Sequence, residues 1–152
     1  MTGISFHFNA PDKVAYACRL LRKAVNGGAR VVVMGEPHAL GQLDVALWTF
    51  SPLDFIPHCF HSDRESLVAA SPIVLVSLPP ASSTSPMQST AHTQVLLNLG
   101  TQVPEDFERF ERLIELVGVD DQDRQVARQR WKHYASRGYA ITRHDIATST
   151  AH

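Results

Sequence analysis

The sequence has little cysteine and no long apolar run. Cys18 and Cys59 are its only cysteines among 152 residues. No apolar segment approaches the roughly 20 residues needed to cross a bilayer. The alternating apolar residues near the start are too few to form the hydrophobic segment of a signal peptide. We therefore expect a cytoplasmic protein that does not bind membranes and keeps both thiols reduced.

Glycine motifs that bind phosphate are also absent. The segment after the first predicted strand is Asn-Ala-Pro-Asp rather than Gly-x-Gly-x-x-Gly, and no Gly-Lys-Ser/Thr loop occurs anywhere. A Gly-x-Ser-x-Gly nucleophile motif is missing as well. These absences predict that the protein needs no cofactor. They count against the alternative function, a small α/β nucleotide-binding protein or an enzyme of unknown substrate.

Charge is low in total but unevenly distributed. Charged residues make up 19% of the chain, hydrophobic residues make up 44%, and the net charge is −1. Eight of the fifteen acidic residues lie within residues 105–123, whereas six of the fourteen basic residues lie within residues 124–143, where no acidic residue occurs. A basic patch on a nearly neutral protein favours a small acidic ligand over a long phosphate backbone, so weak or no direct DNA binding is expected.

The apolar patterns predict one α/β domain over residues 1–147 and a frayed tail over residues 148–152. Strands are predicted at residues 4–8, 31–34, 73–78 and 95–99. Helices are predicted after Pro11, after Pro37, from Pro104 to Gly118, and from Asp120 to about Arg137. This order indicates a mostly parallel sheet with helices on both faces.

Two segments stand out as candidate binding surfaces. The first, residues 43–58, places aromatic residues and prolines close together, so it forms either a lid over the core or a contact surface for a partner. The second is the last predicted helix, where Arg124, Arg128 and Trp131 fall within an arc of about 60°. That face fits a carboxylate attached to an apolar group, or else it is a solvated basic face beside a core tryptophan.

Other clusters have simpler explanations than chemistry. His58, Cys59 and His61 include typical metal ligands, but a structural zinc site needs a fourth ligand, so no metal is predicted. The acidic residues that begin the last helix include Asp120 and Asp121, and helix capping explains them better than acid–base catalysis does.

Two long stretches resemble the recurrent segments of the chi subunit of bacterial DNA polymerase III. They are LDVALWTFSPLDFIPH at residues 43–58 and RQVARQRWKHYASRGY at residues 124–139, in the family's order and at about its spacing. The resemblance covers about residues 4–141. It implies a Rossmann-like fold and a non-catalytic adaptor function in DNA replication.

In chi proteins the matching basic helix binds the acidic C-terminal tail of single-stranded-DNA-binding protein, which ends in phenylalanine. The resemblance therefore implies that Arg124 and Arg128 pair with carboxylates of this tail. It also implies that Trp131, together with Val117 from the preceding predicted helix, walls the apolar pocket.

The first stretch corresponds to the surface through which chi proteins bind the psi subunit, which tethers them to the clamp loader. The resemblance implies that Trp48, Phe55 and Pro57 anchor psi here, in keeping with the enrichment of aromatic residues at interfaces. A helicase competing with psi is a further expected partner of this surface.

Overall fold

The computed structural model describes residues 2–49, 58–60, 73–77, 94–100, 103 and 107–146. The strands, in chain order, are β1 Gly3–Ala10, β2 Val31–Gly35, β3 His58–Phe60, β4 Ile73–Ser77, β5 Val95–Asn98, β6 Arg112–Gly118 and β7 Ile141–Asp145. The helices are α1 Lys13–Asn26, α2 Pro37–Thr49 and α3 Asp121–Ser136, and a short 3-10 helix spans Phe107–Arg109.

The seven strands form one sheet in the order β3-β4-β2-β5-β6-β1-β7, and all neighbouring strands are parallel. β2, near the middle, is buried along its whole length, which explains its continuous run of valines. Helical crossovers join β1 to β2, β2 to β3 and β6 to β7. The predicted α/β, Rossmann-like fold with a mostly parallel sheet is confirmed.

The helices cover both faces of the sheet, as predicted. On one face α1 and α2 contribute Ala17, Leu21 and Leu43 to a core with alternate strand residues. On the other face α3 contributes Ala127 and Tyr134 to a second core, which includes the side chains of β1 and β6 that point to that side. No helix in the described part of the chain is long and apolar enough to span a membrane.

The helix predicted from Pro104 to Gly118 is wrong. Residues 112–118 form the strand β6, and only Phe107–Arg109 is helical, as one 3-10 turn. The apolar residues of this segment match helical spacing, but residues 113–118 are all buried. A strand covered on both faces is apolar at successive positions, and over a short run its pattern cannot be distinguished from that of a buried helix.

Besides β6, two further strands were not predicted. β7 is an edge strand in which Ile141 is partly buried and Thr142 and Arg143 are exposed, so its sequence lacks a clear apolar alternation. β3 has only three residues and lies at the opposite edge. Consequently the elements described after α2 are four strands, one α-helix and a final strand, with one 3-10 turn between β5 and β6, rather than two strands and two helices.

Helix α1 begins with a side-chain cap and contains a buried thiol. Cys18 is a buried free thiol, and its burial raises its pKa to about 11. Asp12 caps α1 by accepting a hydrogen bond from the Ala15 backbone N–H at 3.1 Å. The tail predicted at residues 148–152 lies outside the described residues.

Candidate functional site

The turn between β6 and α3 is held by Asp123. The Asp123 carboxylate accepts a hydrogen bond from the Gly118 backbone N–H at 2.7 Å and lies 3.3 Å from the Lys13 ammonium. Asp120 occupies the N-cap position, but its side chain makes no capping hydrogen bond. The predicted cap position at Asp120 is therefore confirmed, but the side-chain hydrogen bond that fixes the turn is made by Asp123.

The orientation of α3 on the sheet follows the predicted helical face. Ala127 and Tyr134 are buried against the sheet, while Arg128 is exposed. Trp131 is half-buried at the edge of this contact, and its ring centroid lies 5.1 Å from that of Phe6 on β1. One side of the indole therefore packs on the core, and the other faces an open pocket.

This pocket has a volume of about 560 Å³ and lies between α3 and the ends of β1, β6 and β7. It brings together all four residues predicted for tail binding: Val117, Arg124, Arg128 and Trp131. The prediction that Val117 belongs to a helix is wrong, because Val117 is a buried residue of β6. The other residues that line the pocket are Phe6, Phe8, Asn9, Ala127 and Arg143.

Asn9 holds Arg124 at the edge of the pocket. The Arg124 guanidinium donates a hydrogen bond from Nη2 to Asn9 Oδ1 at 2.6 Å, and Asn9 Nδ2 donates to Asp145 Oδ1 at 3.0 Å. Asn9 has a φ of 65°, and the register of β1 against β6 shifts between His7 and Ala10. Such a bulge redirects side chains, and here it turns the Asn9 amide toward α3.

Arg143 is a functional candidate that the sequence analysis missed. Its guanidinium carbon lies 5.5 Å from the ring centroid of Phe8 and 5.9 Å from that of Trp131. The pocket is therefore lined by three arginines over an apolar floor that includes Phe6 and Val117. Guanidinium groups donate paired hydrogen bonds to carboxylates, so this arrangement fits an anionic group attached to an apolar side chain.

A buried polar network that the sequence did not predict lies beneath the same helix. Glu115 on β6 is fully buried and lies 3.1 Å from the Nε of Arg130, which is 2% exposed. The Tyr134 hydroxyl and the Asn98 amide both donate hydrogen bonds to the Glu115 carboxylate. Burial raises the pKa of Glu115, and the Arg130 charge and these hydrogen bonds oppose that shift.

A second crevice lies beyond the ends of β1 and β6, where α1 and α3 depart to opposite faces of the sheet. Parallel α/β sheets often bind phosphate-containing ligands at such a point. Here the crevice is lined by Asp120 and by Asp123, which is already paired with Lys13. Carboxylates at this position repel phosphate, so the crevice does not support a nucleotide-binding function.

The other predicted site residues are less fully described. Trp48 lies in the last turn of α2, but its side chain is outside the described structure, and so are Phe55 and Pro57. His58 and Cys59 belong to β3, whereas His61 lies outside the described residues. Among the residues whose side chains are described, no group of three metal-binding side chains is found.

Comparison with known proteins identifies the family. The profile of the family described as "DNA polymerase III chi subunit, HolC" matches residues 1–142. The chain belongs to the DNA polymerase III chi subunit family. Membership in the chi subunit family assigns it to DNA replication as an accessory subunit of DNA polymerase III.

Two chi subunits illustrate how much of the chain the similarity covers. DNA polymerase III subunit chi of Pseudomonas aeruginosa is 31% identical over 152 aligned residues, which cover 96% of this chain and 98% of the relative. The subunit chi of Haemophilus influenzae is 24% identical over 131 residues, covering 86% and 85%. Both alignments extend over most of the chain.

Proposed function

We propose that the protein is a non-catalytic, cytoplasmic adaptor that links the clamp loader of DNA polymerase III to single-stranded-DNA-binding protein. In this proposal the acidic C-terminal tail of single-stranded-DNA-binding protein binds in the pocket between α3 and the sheet. Arg124 and Arg128 pair with carboxylates of the tail, and Val117 and Trp131 enclose its terminal phenylalanine.

The chemistry of the pocket is the observation that carries this proposal. Its floor is apolar and holds a half-buried indole, while its edge carries guanidinium groups from two elements. Arg128 is exposed, and we find no carboxylate within ion-pair distance of it among the described residues. An acidic peptide with an aromatic end satisfies both the apolar and the charged parts of such a pocket.

We further propose that the surface around Trp48, Phe55 and Pro57 binds the psi subunit, or a helicase that competes with psi. The exposed side of α2 near Trp48 supports this proposal, because Val45, three residues before it, is 61% exposed. α2 lies on the face of the sheet opposite α3, so both partners could bind at once. Simultaneous binding is what an adaptor requires.

A fluorescence-anisotropy titration with a labelled acidic peptide ending in phenylalanine tests tail binding. We expect saturable binding that weakens as salt is added, because Coulomb attraction between partly exposed charges is screened. Arg128→Ala should weaken binding about 10- to 100-fold, corresponding to about 1.5–3 kcal/mol for a lost charge-assisted hydrogen bond. Arg19→Ala is a matched control, because Arg19 is an exposed arginine on α1, at the other face of the sheet.

The two surfaces are separated by testing each variant against both partners. Trp48→Ala should abolish binding to purified psi and leave peptide binding unchanged, and Arg128→Ala should do the reverse. Absence of saturable peptide binding by the folded wild type would refute tail binding. Equal weakening by Arg128→Ala and Arg19→Ala would show that only net charge matters.

A further inference from the structure

Arg143 faces α3 from the last strand of the sheet. β7 is the edge strand, and Arg143 lies in register with Phe6 of β1, which belongs to the pocket floor. The Arg143 guanidinium carbon lies within 6 Å of two ring centroids, that of Phe8 on β1 and that of Trp131 on α3. The charge is therefore held between the strand side and the helix side of the pocket.

Aromatic contacts on both sides constrain the guanidinium without occupying its hydrogen-bond donors. A planar guanidinium can contact a ring face while its N–H groups remain available at its edge. Among the residues the structure describes, no carboxylate lies within ion-pair distance of Arg143. Asp145, the next residue on the same side of β7, accepts a hydrogen bond from Asn9. Arg143 is thus an oriented cation, poised to bind a carboxylate from a ligand.

We propose that Arg143 binds the α-carboxylate of the terminal residue of the tail. This inference rests on the proposed tail binding. If the terminal phenylalanine fills the apolar pocket beside Trp131, its α-carboxylate is only two bonds from the side chain and must lie near the same indole. Arg143 contacts that indole. Arg124 and Arg128 lie one turn apart along α3 and are then available to the acidic side chains that precede the terminal residue.

The test compares two peptides with one acidic sequence ending in phenylalanine, one with a free C-terminal carboxylate and one with a C-terminal amide. For the wild-type chain, amidation should weaken binding about tenfold or more, because it removes a charge-assisted hydrogen bond. Arg143→Gln should weaken binding of the acid peptide by a similar factor. It should also bring the affinities of the two peptides within about twofold of each other.

Two further variants make the comparison specific. Arg143→Lys keeps the positive charge but loses the planar, two-donor geometry, so its preference for the acid peptide should be intermediate. Arg19→Gln removes one positive charge on the opposite face and should keep the full preference of the wild type. Arg143 is exposed, so we expect thermal unfolding of its variants to match that of the wild type.

The outcomes separate this inference from the proposed function. If Arg143→Gln keeps the wild-type preference for the acid peptide, the α-carboxylate is bound elsewhere and the inference is wrong. If the wild type binds both peptides equally and Arg128→Ala weakens both, the inference is wrong but tail binding stands. If the folded wild type binds neither peptide, tail binding itself is refuted.

Discussion

The same strand and the same helix use arginine in two opposite ways. On the α3 side of β6, Glu115 and Val117 are alternate residues: Glu115 pairs with the buried Arg130, whereas Val117 borders the pocket near the exposed Arg128. Arg130 is matched by a carboxylate of its own chain. Arg128 has none among the described residues. Arg130 thus serves the fold, whereas Arg128 is the arginine that we propose to serve a ligand.

The largest expected effect on stability comes from breaking the buried pair of Glu115 and Arg130. Glu115→Gln leaves the buried Arg130 without a counter-charge, so we expect the free energy of unfolding to fall by about 3–5 kcal/mol. Arg128→Ala should change it by no more than about 0.5 kcal/mol. Urea unfolding of both variants measures the difference.

A double variant provides the control for this prediction. Glu115→Leu combined with Arg130→Met removes both charges together and should recover part of the loss. Recovery stays partial, because the Tyr134 hydroxyl loses its acceptor. A loss below about 1 kcal/mol for Glu115→Gln would mean that the buried pair is not the stabilising element that the comparison requires.

A smaller effect on stability is expected from protonation of His7, a half-buried base on the other face of the sheet. Its ring nitrogen Nδ1 lies 2.6 Å from the Tyr16 hydroxyl, and its ring centroid lies 4.8 Å from that of His144. The pKa of His7 is lowered from 6.5 to about 4, mainly by burial and to a smaller extent by the nearby charges of His144 and Arg112. Unlike Arg130, this base is accommodated by remaining neutral.

The lowered pKa of His7 makes the stability of the fold depend on pH. Between pH about 4 and 6.5 the unfolded chain binds more protons at His7 than the folded chain, so stability falls as pH falls through this window. We expect about 1–2 kcal/mol at this site, because partial solvent exposure screens the charges. Urea unfolding at several pH values should give a flatter curve for His7→Gln than for the wild type. His38→Gln, at an exposed position on α2, should leave the curve unchanged.

The smallest effect concerns Asn9, which links the sheet to Arg124. Asn9→Gly tolerates the φ of 65° but loses the hydrogen bond, so tail-peptide binding should weaken about three- to tenfold with little change in stability. Asn9→Ala should additionally lose about 1–2 kcal/mol of stability, because alanine lacks the short polar side chain that lets asparagine tolerate a positive φ. Peptide titration and urea unfolding measure the two effects separately. Unchanged peptide affinity for Asn9→Gly would mean that Arg124 needs no positioning.

The sequence predicts those parts of the site that lie within one regular element. Arg124, Arg128 and Trp131 share a helix, so the 3.6-residue period alone places them on neighbouring positions. Asn9 and Arg143 reach the pocket through pairing of β1 with β6 and β7, more than 100 residues away along the chain. Periodicity contains no information about such pairing.

The fold also divides into elements that local sequence signals define and elements that only their place in the sheet defines. α1 and β2 have clear start and stop signals and were predicted nearly to their ends. β6 was misread because burial on both faces removed its alternation, and β7 because an edge strand can be polar. Arg130 was missed for a related reason: only the position of Glu115 inside the sheet distinguishes a buried arginine from its solvated neighbours.

The place of β1 in the sheet has a consequence for how the protein is made. β1 is translated before the other described strands, yet its neighbours in the sheet are β6 and β7, the last two of those strands. At roughly 5–20 residues per second, β1 waits several seconds or more for these partners to be translated. A parallel sheet closed by such distant segments also folds slowly, because the entropy of a long loop must be overcome first. The pocket between α3 and the sheet is built from segments more than 100 residues apart, so a chain that ends before β6 cannot form it.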